Sequence, residues 1–349
     1  MEIDDHSGAV GRAVRYLGSG WDERGLPRAL VSLSPRMSPV HPAGEGRRMV
    51  RDMFGRDIGF DLGDERFTAS LALANLPESM WSVHPGLRDK LAQVVRSGHD
   101  EEHRYAFFFD DNGFPVDTDC TAMAVGALYD SGLISPDELL AAGRELLASA
   151  VVGRIAAGPH AADYMPGVVL VYWQDLPGAQ GVSRAPRYDA VACANALYVL
   201  RRAMEHGLAD PEGVVEATTA YVVDHLISGR YRDGTRYYSR PESFLYSFSR
   251  LCAAFPDIGA RYAESVAREL PRGESVARLS ALDLALSIVA AGYLGDDGHQ
   301  RARRASLVAM QDDRGAWPAG AYYRMGRVPL YWGSPTLTSI FAAKALAGD

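Results

Sequence analysis

The stretch FFFDDNGFPVDTDCTAMA, residues 107–124, decides how the rest of the chain is read. The aromatic run Phe107-Phe108-Phe109 ends in Asp110-Asp111-Asn112-Gly113, and Pro115 fixes the next step; Asn-Gly and Pro are chain punctuation. Asp117-Thr118-Asp119-Cys120-Thr121-Ala122 then opens an apolar helix that runs to about Ser131. A Thr or Asp beside a first turn serves as N-cap, and acidic groups there are favoured by the helix dipole. That accounts for both Asp residues without any chemistry. The alternative makes Asp119 an acid on an apolar wall at the mouth of a ring of helices, with Asp117 and Cys120 beside it, because perturbed carboxyls gather at functional sites.

Working outward, apolar helices rich in Ala, Leu and Tyr start near Thr68, Thr121, Asp189, Pro241, Ser280 and Pro335. More charged, amphipathic helices lie between them at 87–96, 136–152, 211–227, 258–270 and 299–311. A helix that is apolar all round belongs in an interior, and one with a single apolar stripe belongs at a surface. The alternation predicts an all-α (α/α)6 barrel, a single domain over residues 67–349, with the apolar set inside. Residues 1–66 read as an N-terminal helix (7–18) and an irregular Pro/Gly-rich segment that packs on or caps the barrel; Trp21 to Arg47 is expected to be an ordered loop or lid. Strand signals are few: 168–173, and a hairpin around Asp233-Gly234, both in rim loops.

The chain has 349 residues, 47% hydrophobic and 23% charged, with net charge -8. This suits a large core and argues against a nucleic-acid surface. No apolar run approaches the roughly 18 residues of a membrane span. The acidic start Glu2-Ile3-Asp4-Asp5 lacks the apolar core of a secretory signal. Cys120, Cys193 and Cys252 have no metal spacing and form no even disulfide set, which fits a reducing cytoplasm. The nine histidines are scattered, and no metal-binding residues are expected.

Asp117-Thr118-Asp119 with Thr121-Ala122 resembles the acid motif of class II terpene cyclases, the squalene–hopene and diphosphate-cyclase type, and Asp-Cys-Thr-Ala resembles its oxidosqualene cyclase variant. Leu307-x-x-x-Gln311-x-x-x-Gly315-x-Trp317 is similar to the QW repeat of squalene cyclases and protein prenyltransferases. Tyr331-Trp332-Gly333-Ser334-Pro335 and the helix after it look like the last inner helix of that superfamily. The likeness covers roughly residues 65–347. It implies that Asp119 protonates a linear polyprenyl substrate: farnesyl or geranylgeranyl diphosphate, or an oxidised or meroterpenoid chain. It implies no cofactor for the chemistry, with Mg2+ entering only beside a diphosphate, and a scaffold role for Gln311, Gly315 and Trp317. Two departures matter. Cys120 stands where Asp or Thr is usual, which leaves open whether an alkene or an epoxide is protonated. Larger family members place the site between two barrels, whereas this chain is long enough for one, so residues 1–66, a homodimer or a partner protein would have to close the cavity.

Protonating a double bond needs an acid kept neutral at rest whose carboxylate is then stabilised; a neighbouring carboxyl does the first and hydrogen bonds the second. Asp117 and Cys120 are local candidates, and Asn195, on the next inner helix, is a distant one that needs a partner if buried. Asp283 interrupts an apolar inner helix and is either functional or a paired structural carboxylate. Aromatic faces stabilise a migrating cation; the candidates are Phe109, Trp173, Tyr237, Tyr238, Tyr331 and Trp332. Arg suits a diphosphate; of the rim arginines, which include Arg184 and Arg187, the candidates are Arg236, Arg324 and Arg327. No Asp-Asp-x-x-Asp run supports ionisation by a magnesium cluster. Two other classes stay open: a carbohydrate-active (α/α)6 enzyme using Asp119 with Asp283 or Asp189, and a non-catalytic barrel that binds a prenyl chain or a protein.

Overall fold

Eleven successive residues of one helix, Ala281 to Ala291, are all buried, as are Thr118 to Leu128 of another. Only a helix enclosed on every side shows this pattern. A computed structural model, describing residues 6–152, 161–173 and 185–348, contains six helices with unbroken buried runs of seven to eleven residues and places them in a closed ring.

In chain order the helices are α1 (Ser7–Ser19), α2 (Gly46–Phe54), α3 (Phe67–Asn75), α4 (Glu78–Val83), α5 (Leu87–Arg96), α6 (Thr118–Asp130), α7 (Pro136–Ala148), α8 (Ala190–Glu205), α9 (Val214–Ile227), α10 (Pro241–Ala254), α11 (Pro256–Glu269), α12 (Ala281–Leu294), α13 (Gln300–Val308) and α14 (Pro335–Ala347). α3 packs on α6, α6 on α8, α8 on α10, α10 on α12, α12 on α14, and α14 returns to α3. Outside this ring lie α5, α7, α9, α11 and α13. The sixth outer position falls to α1, which packs on α14. The molecule is an (α/α)6 barrel. Small residues let the inner helices approach, and Ser287 Oγ turns back onto its own helix, donating to the Asp283 carbonyl at 2.8 Å. No helix among the described residues is long and apolar enough to cross a membrane.

The turn after α13 shows why its residues are what they are. Gln311 Nε2 donates to the carbonyls of Gly315 (3.1 Å) and Ala9 (3.0 Å), and Arg12 donates to Gln311 Oε1. Gly315 has φ 90°, and a Cβ there would lie 2.4 Å from the Arg12 carbonyl oxygen, so only glycine fits. Trp317 is 1% exposed, and its Nε1 donates to the Leu307 carbonyl at 2.7 Å. Trp317→Ala is expected to cost about 3–5 kcal/mol, read as a lower midpoint in urea unfolding.

Four strands form one small antiparallel sheet at one rim: β1 (Leu30–Ser32), β2 (His41–Pro42), β3 (Tyr323–Arg324) and β4 (Tyr331–Gly333), in the order β2-β1-β4-β3. Val31 pairs with Trp332, and Trp332 with Tyr323, so the N-terminal segment is sewn to the loop ahead of α14. The strand expected at 168–173 does not form. Its backbone groups meet single partners instead of a ladder: the Val171 carbonyl accepts from the Thr118 N–H (2.9 Å), the Val171 N–H donates to the Arg187 carbonyl (2.8 Å), and the Val169 N–H donates to Thr218 Oγ1 (3.1 Å). The hairpin expected around Asp233-Gly234 is a 3-10 turn, Arg230–Asp233, followed by a loop closed by the Thr235 N–H on the Tyr238 carbonyl.

Candidate active site

The inner helices all begin at the rim that carries the sheet. The residues just ahead of them, and in their first turns, line a cavity of about 490 Å3. Asp117 is the N-cap of α6: its Oδ1 accepts the Cys120 N–H at 2.7 Å. Thr118 Oγ1 donates to the Leu170 carbonyl at 2.7 Å and Thr121 Oγ1 to the Asp117 carbonyl at 2.8 Å, which locks the first turn. Asp119, the second residue of the helix, is thereby set into the cavity wall, 8% exposed.

Two donors meet it there. Asn195 Nδ2, from α8, donates to Asp119 Oδ1 at 2.9 Å, and the Tyr238 hydroxyl donates to Oδ2 at 2.5 Å. Asp189 positions both. Its Oδ1 caps α8 by accepting from Val191 N–H (2.8 Å), and its Oδ2 accepts from Tyr237 N–H (2.8 Å), fixing the loop that carries Tyr238.

Burial pushes Asp119 up to about 8, with Asp117 and Asp189 adding to the rise and the Asn195 and Tyr238 hydrogen bonds opposing it. Asp117 is pushed up to about 6, again by burial, against donors from Cys120. At neutral pH Asp119 therefore keeps its proton, while the two donors stand ready to hold the carboxylate that would form. Its place in the first turn of α6 adds the positive end of a helix dipole.

Much of the remaining wall is aromatic, including Phe67, Phe107, Phe114, Tyr172, Tyr238, Tyr323 and Trp332. Tyr323 sits edge-on to Phe67 (5.2 Å between ring centres) and Phe107 (5.4 Å). The arginines Arg187, Arg236 and Arg327 also line the cavity. Among the described residues none of the three has a carboxylate partner, and Arg236 Nε is buried with none at all. Arg187 is held below the ordinary guanidinium value by burial and by the nearby charges of Arg236 and Arg327. An anion placed among three like charges would relieve their repulsion.

Of the residues singled out from sequence, Asp117, Asp119, Cys120, Arg236, Tyr237, Tyr238, Arg324, Arg327 and Trp332 line the cavity, and Asn195 stands behind Asp119. Four do not reach it. Asp283 belongs to the capping box of α12 with Ser280 and is clamped by Arg240 Nη2 at 2.7 Å. Trp173 donates to the Glu145 carbonyl (3.0 Å) under the Arg104 guanidinium. Phe109 lies beneath Arg66 and Arg24. Tyr331 packs on Met37 and Ala321. Arg324 lines the wall, but its Nη2 is spent on the Thr235 carbonyl at 2.7 Å. Arg184 lies outside the described residues. Sequence reasoning missed Ile58, Phe60, Phe67, Phe114, Val171, Met325, Gly326 and Val328. Ile58-x-Phe60-x-Leu62, alternating within a Gly/Asp/Arg-rich stretch, was the available signal for a covering segment. Among the described residues, no three His, Cys, Asp or Glu side chains gather as metal ligands.

Asp117, Asp119, Glu65 and Glu242 are all buried carboxyls pushed upward by burial, to about 6, 8, 7 and 7. A raised folded-state pKa means that the fold binds more protons than the unfolded chain between the unfolded value, near pH 4, and the folded one. Stability then falls as pH rises through that window. The thermal midpoint is expected to be at least about 5 °C higher at pH 5 than at pH 8.5, and Glu242→Gln should remove part of that slope.

No family model matches the chain. A drimenol cyclase from Aspergillus calidoustus is 33% identical over 166 residues, 47% of this chain and 30% of that protein; the match spans less than a third of the relative. Among solved structures, a protein from Actinoplanes superposes with TM-score 0.61 at 16% identity over 99% of both chains. The type II terpene cyclase MstE from Scytonema, in complex with geranylgeranyl dihydroxybenzoate, superposes with TM-score 0.60 at 13% identity over 98% of this chain and 96% of that one. An ent-copalyl diphosphate synthase from Streptomyces platensis gives TM-score 0.53 at 15% identity over 86% and 54%. The chain has the fold of the type II terpene cyclases.

Proposed function

We propose that this chain, which shares the type II terpene cyclase fold, is a class II terpene cyclase in which Asp119 is the general acid. The observation that carries the reading is a carboxyl kept neutral by burial, held by two donors, in the wall of an aromatic cavity. Asp119 passes its proton to the terminal double bond or epoxide of a folded prenyl chain. Neighbouring double bonds then attack in turn, and the positive charge moves along the chain. The helix N-termini around the cavity disfavour a cation, so the aromatic faces must supply the compensating negative potential. The carboxylate left at Asp119 is held by Asn195 and Tyr238.

Size and charge narrow the substrate. A cavity of about 490 Å3 lies within the roughly 300–1,000 Å3 of small-molecule sites. A farnesyl chain is the first choice, with its diphosphate at Arg187, Arg236 and Arg327. A meroterpenoid or oxidised chain with another anionic head is the second choice. Ile58, Phe60 and the rim sheet cover the cavity from within the same chain, so this reading needs no second barrel.

The carbohydrate alternative needs a second carboxylate, and Asp189 and Asp283 are both spent on helix caps. A binding-only barrel has no use for a buried acid with two donors. The test is incubation with farnesyl and with geranylgeranyl diphosphate, dephosphorylation, and analysis of the products by gas chromatography and mass spectrometry. Drimenol, the product named for the fungal relative, is the first standard. Only linear alcohols from the wild-type chain would reject the proposal.

A further inference from the structure

A cyclase must also end its cascade. One corner of the cavity holds groups that the protonation step does not use. Tyr323 and Trp332 face each other across β3 and β4 and line the main cavity. The Tyr323 hydroxyl and Trp332 Nε1 are buried and have no hydrogen-bond partner among the described residues. Behind them both side chains also line a second void of about 10 Å3, shared with Glu65 and Thr68. That is about the space of one water. Glu65 is 3% exposed, and its carboxylate accepts from Thr68 N–H (2.8 Å) and from the Thr68 hydroxyl at the start of α3. Among the described residues no cation pairs with it.

A buried carboxylate with no counter-charge needs a reason, and so do two orphaned donors carried by side chains that line the same void. Resting on the cyclase reading, we infer that Tyr323 ends the cascade: its oxygen takes the proton lost by the final cation, and its own hydroxyl proton passes through one water to Glu65. The C–H bond next to the cationic carbon breaks, and its electron pair becomes the new double bond. A new O–H bond forms on Tyr323 as the old one is released. One proton has then left Asp119 and one has reached Glu65, so charge balances and no co-reactant is needed. The position suits the task. The Tyr323 ring lies 5.9 Å from that of Tyr238, the partner of Asp119, so the terminating group is one ring away from the initiating one. Burial also pushes Glu65 up to about 7, which leaves it a competent base near neutral pH while Asp119 stays protonated. Tyr323 is the group that meets the substrate, and Glu65 acts through it.

The experiment compares the products of wild type, Tyr323→Phe, Glu65→Gln and Glu65→Asp on farnesyl diphosphate, with thermal unfolding to establish folding. Tyr323→Phe removes an oxygen with no hydrogen-bond partner among the described residues, and it should fold even if Glu65→Gln loosens α3. The expected result is that the wild-type alkene falls to less than about a tenth of total product in Tyr323→Phe and Glu65→Gln, replaced by double-bond isomers or alcohols. Glu65→Asp restores part of it. A merely structural role would slow turnover without changing this ratio. Cyclisation by wild type with an unchanged product ratio and rate in folded Tyr323→Phe overturns the inference and leaves the cyclase reading standing. A wild-type product ended by water overturns it too. No cyclic product from wild type overturns both.

Discussion

Asp119→Asn should abolish cyclisation and at the same time make the protein more stable. The loss is expected to exceed about 10^4-fold in kcat, the upper end for removal of a general acid, because among the described residues no other carboxyl lining the cavity has two side-chain donors behind it. The gain has the same origin. In the fold Asp119 is pushed up to about 8 by burial, from an ordinary value of 3.8. Each unit of such a shift costs about 1.4 kcal/mol of stability once pH exceeds the folded value. Asparagine carries no charge to bury. Its carbonyl can accept from Asn195, and its amide can donate to Tyr238. The stabilisation should be absent near pH 3.5, grow as pH rises, and level off above pH 8, reaching a few degrees in thermal midpoint. An active Asp119→Asn, or a stability difference that ignores pH, would remove Asp119 from the role given to it.

The two Asp residues of the opening motif illustrate what a sequence can say. The cap reading holds for Asp117, while Asp119 is the carboxyl that Asn195 and Tyr238 meet in the cavity wall, the position the acid reading requires; helical spacing alone does not separate the two until Thr118 is seen tied to the Leu170 carbonyl. The barrel was legible because six helices apolar on every face have only one place to go. Its sixth outer helix was not, since α1 packs on α14 at the far end of the chain and is tied through Arg12 and Ala9 to Gln311 in the turn after α13. Asp283 in an apolar helix read as a possible functional group, but a carboxylate three residues after Ser280 is also a capping box, and Arg240, 43 positions away, decides between the two. The strand read at 168–173 has the right residues and lacks a neighbour to pair with. Ile58 and Phe60 were hidden because an alternation of three apolar residues in a covering loop is too short to stand out, whereas Asp119 sits in the first turn of a helix of 13 residues. Phe109 and Phe107 are two residues apart, yet one lies under two arginines and the other lines the cavity; that choice is made by Arg66 and Arg24, which the aromatic run does not announce.

Replacing Arg236 and Arg327 together by glutamine should lower kcat/KM for a prenyl diphosphate by about 10^2–10^4-fold, mostly through KM. Each charge-assisted hydrogen bond to a phosphate is worth about 1.5–3 kcal/mol, and among the described residues the two arginines have no carboxylate to hold. Kept together with Arg187 they are a cost to the fold. Arg187 lies below the ordinary guanidinium value partly because these two face it, so the double variant should be at least as stable as the wild type while binding its substrate far less well. Stability and affinity then move in opposite directions, as they do where a site is kept strained for a ligand. The control is a prenyl chain with a neutral head, such as the corresponding alcohol. Its turnover, slow in the wild type, should be nearly unchanged in the double variant, and the diphosphate reaction alone should weaken as salt is raised. If the neutral substrate loses as much as the diphosphate, the arginines shape the cavity rather than bind the head group, and the anion must be sought elsewhere on the rim.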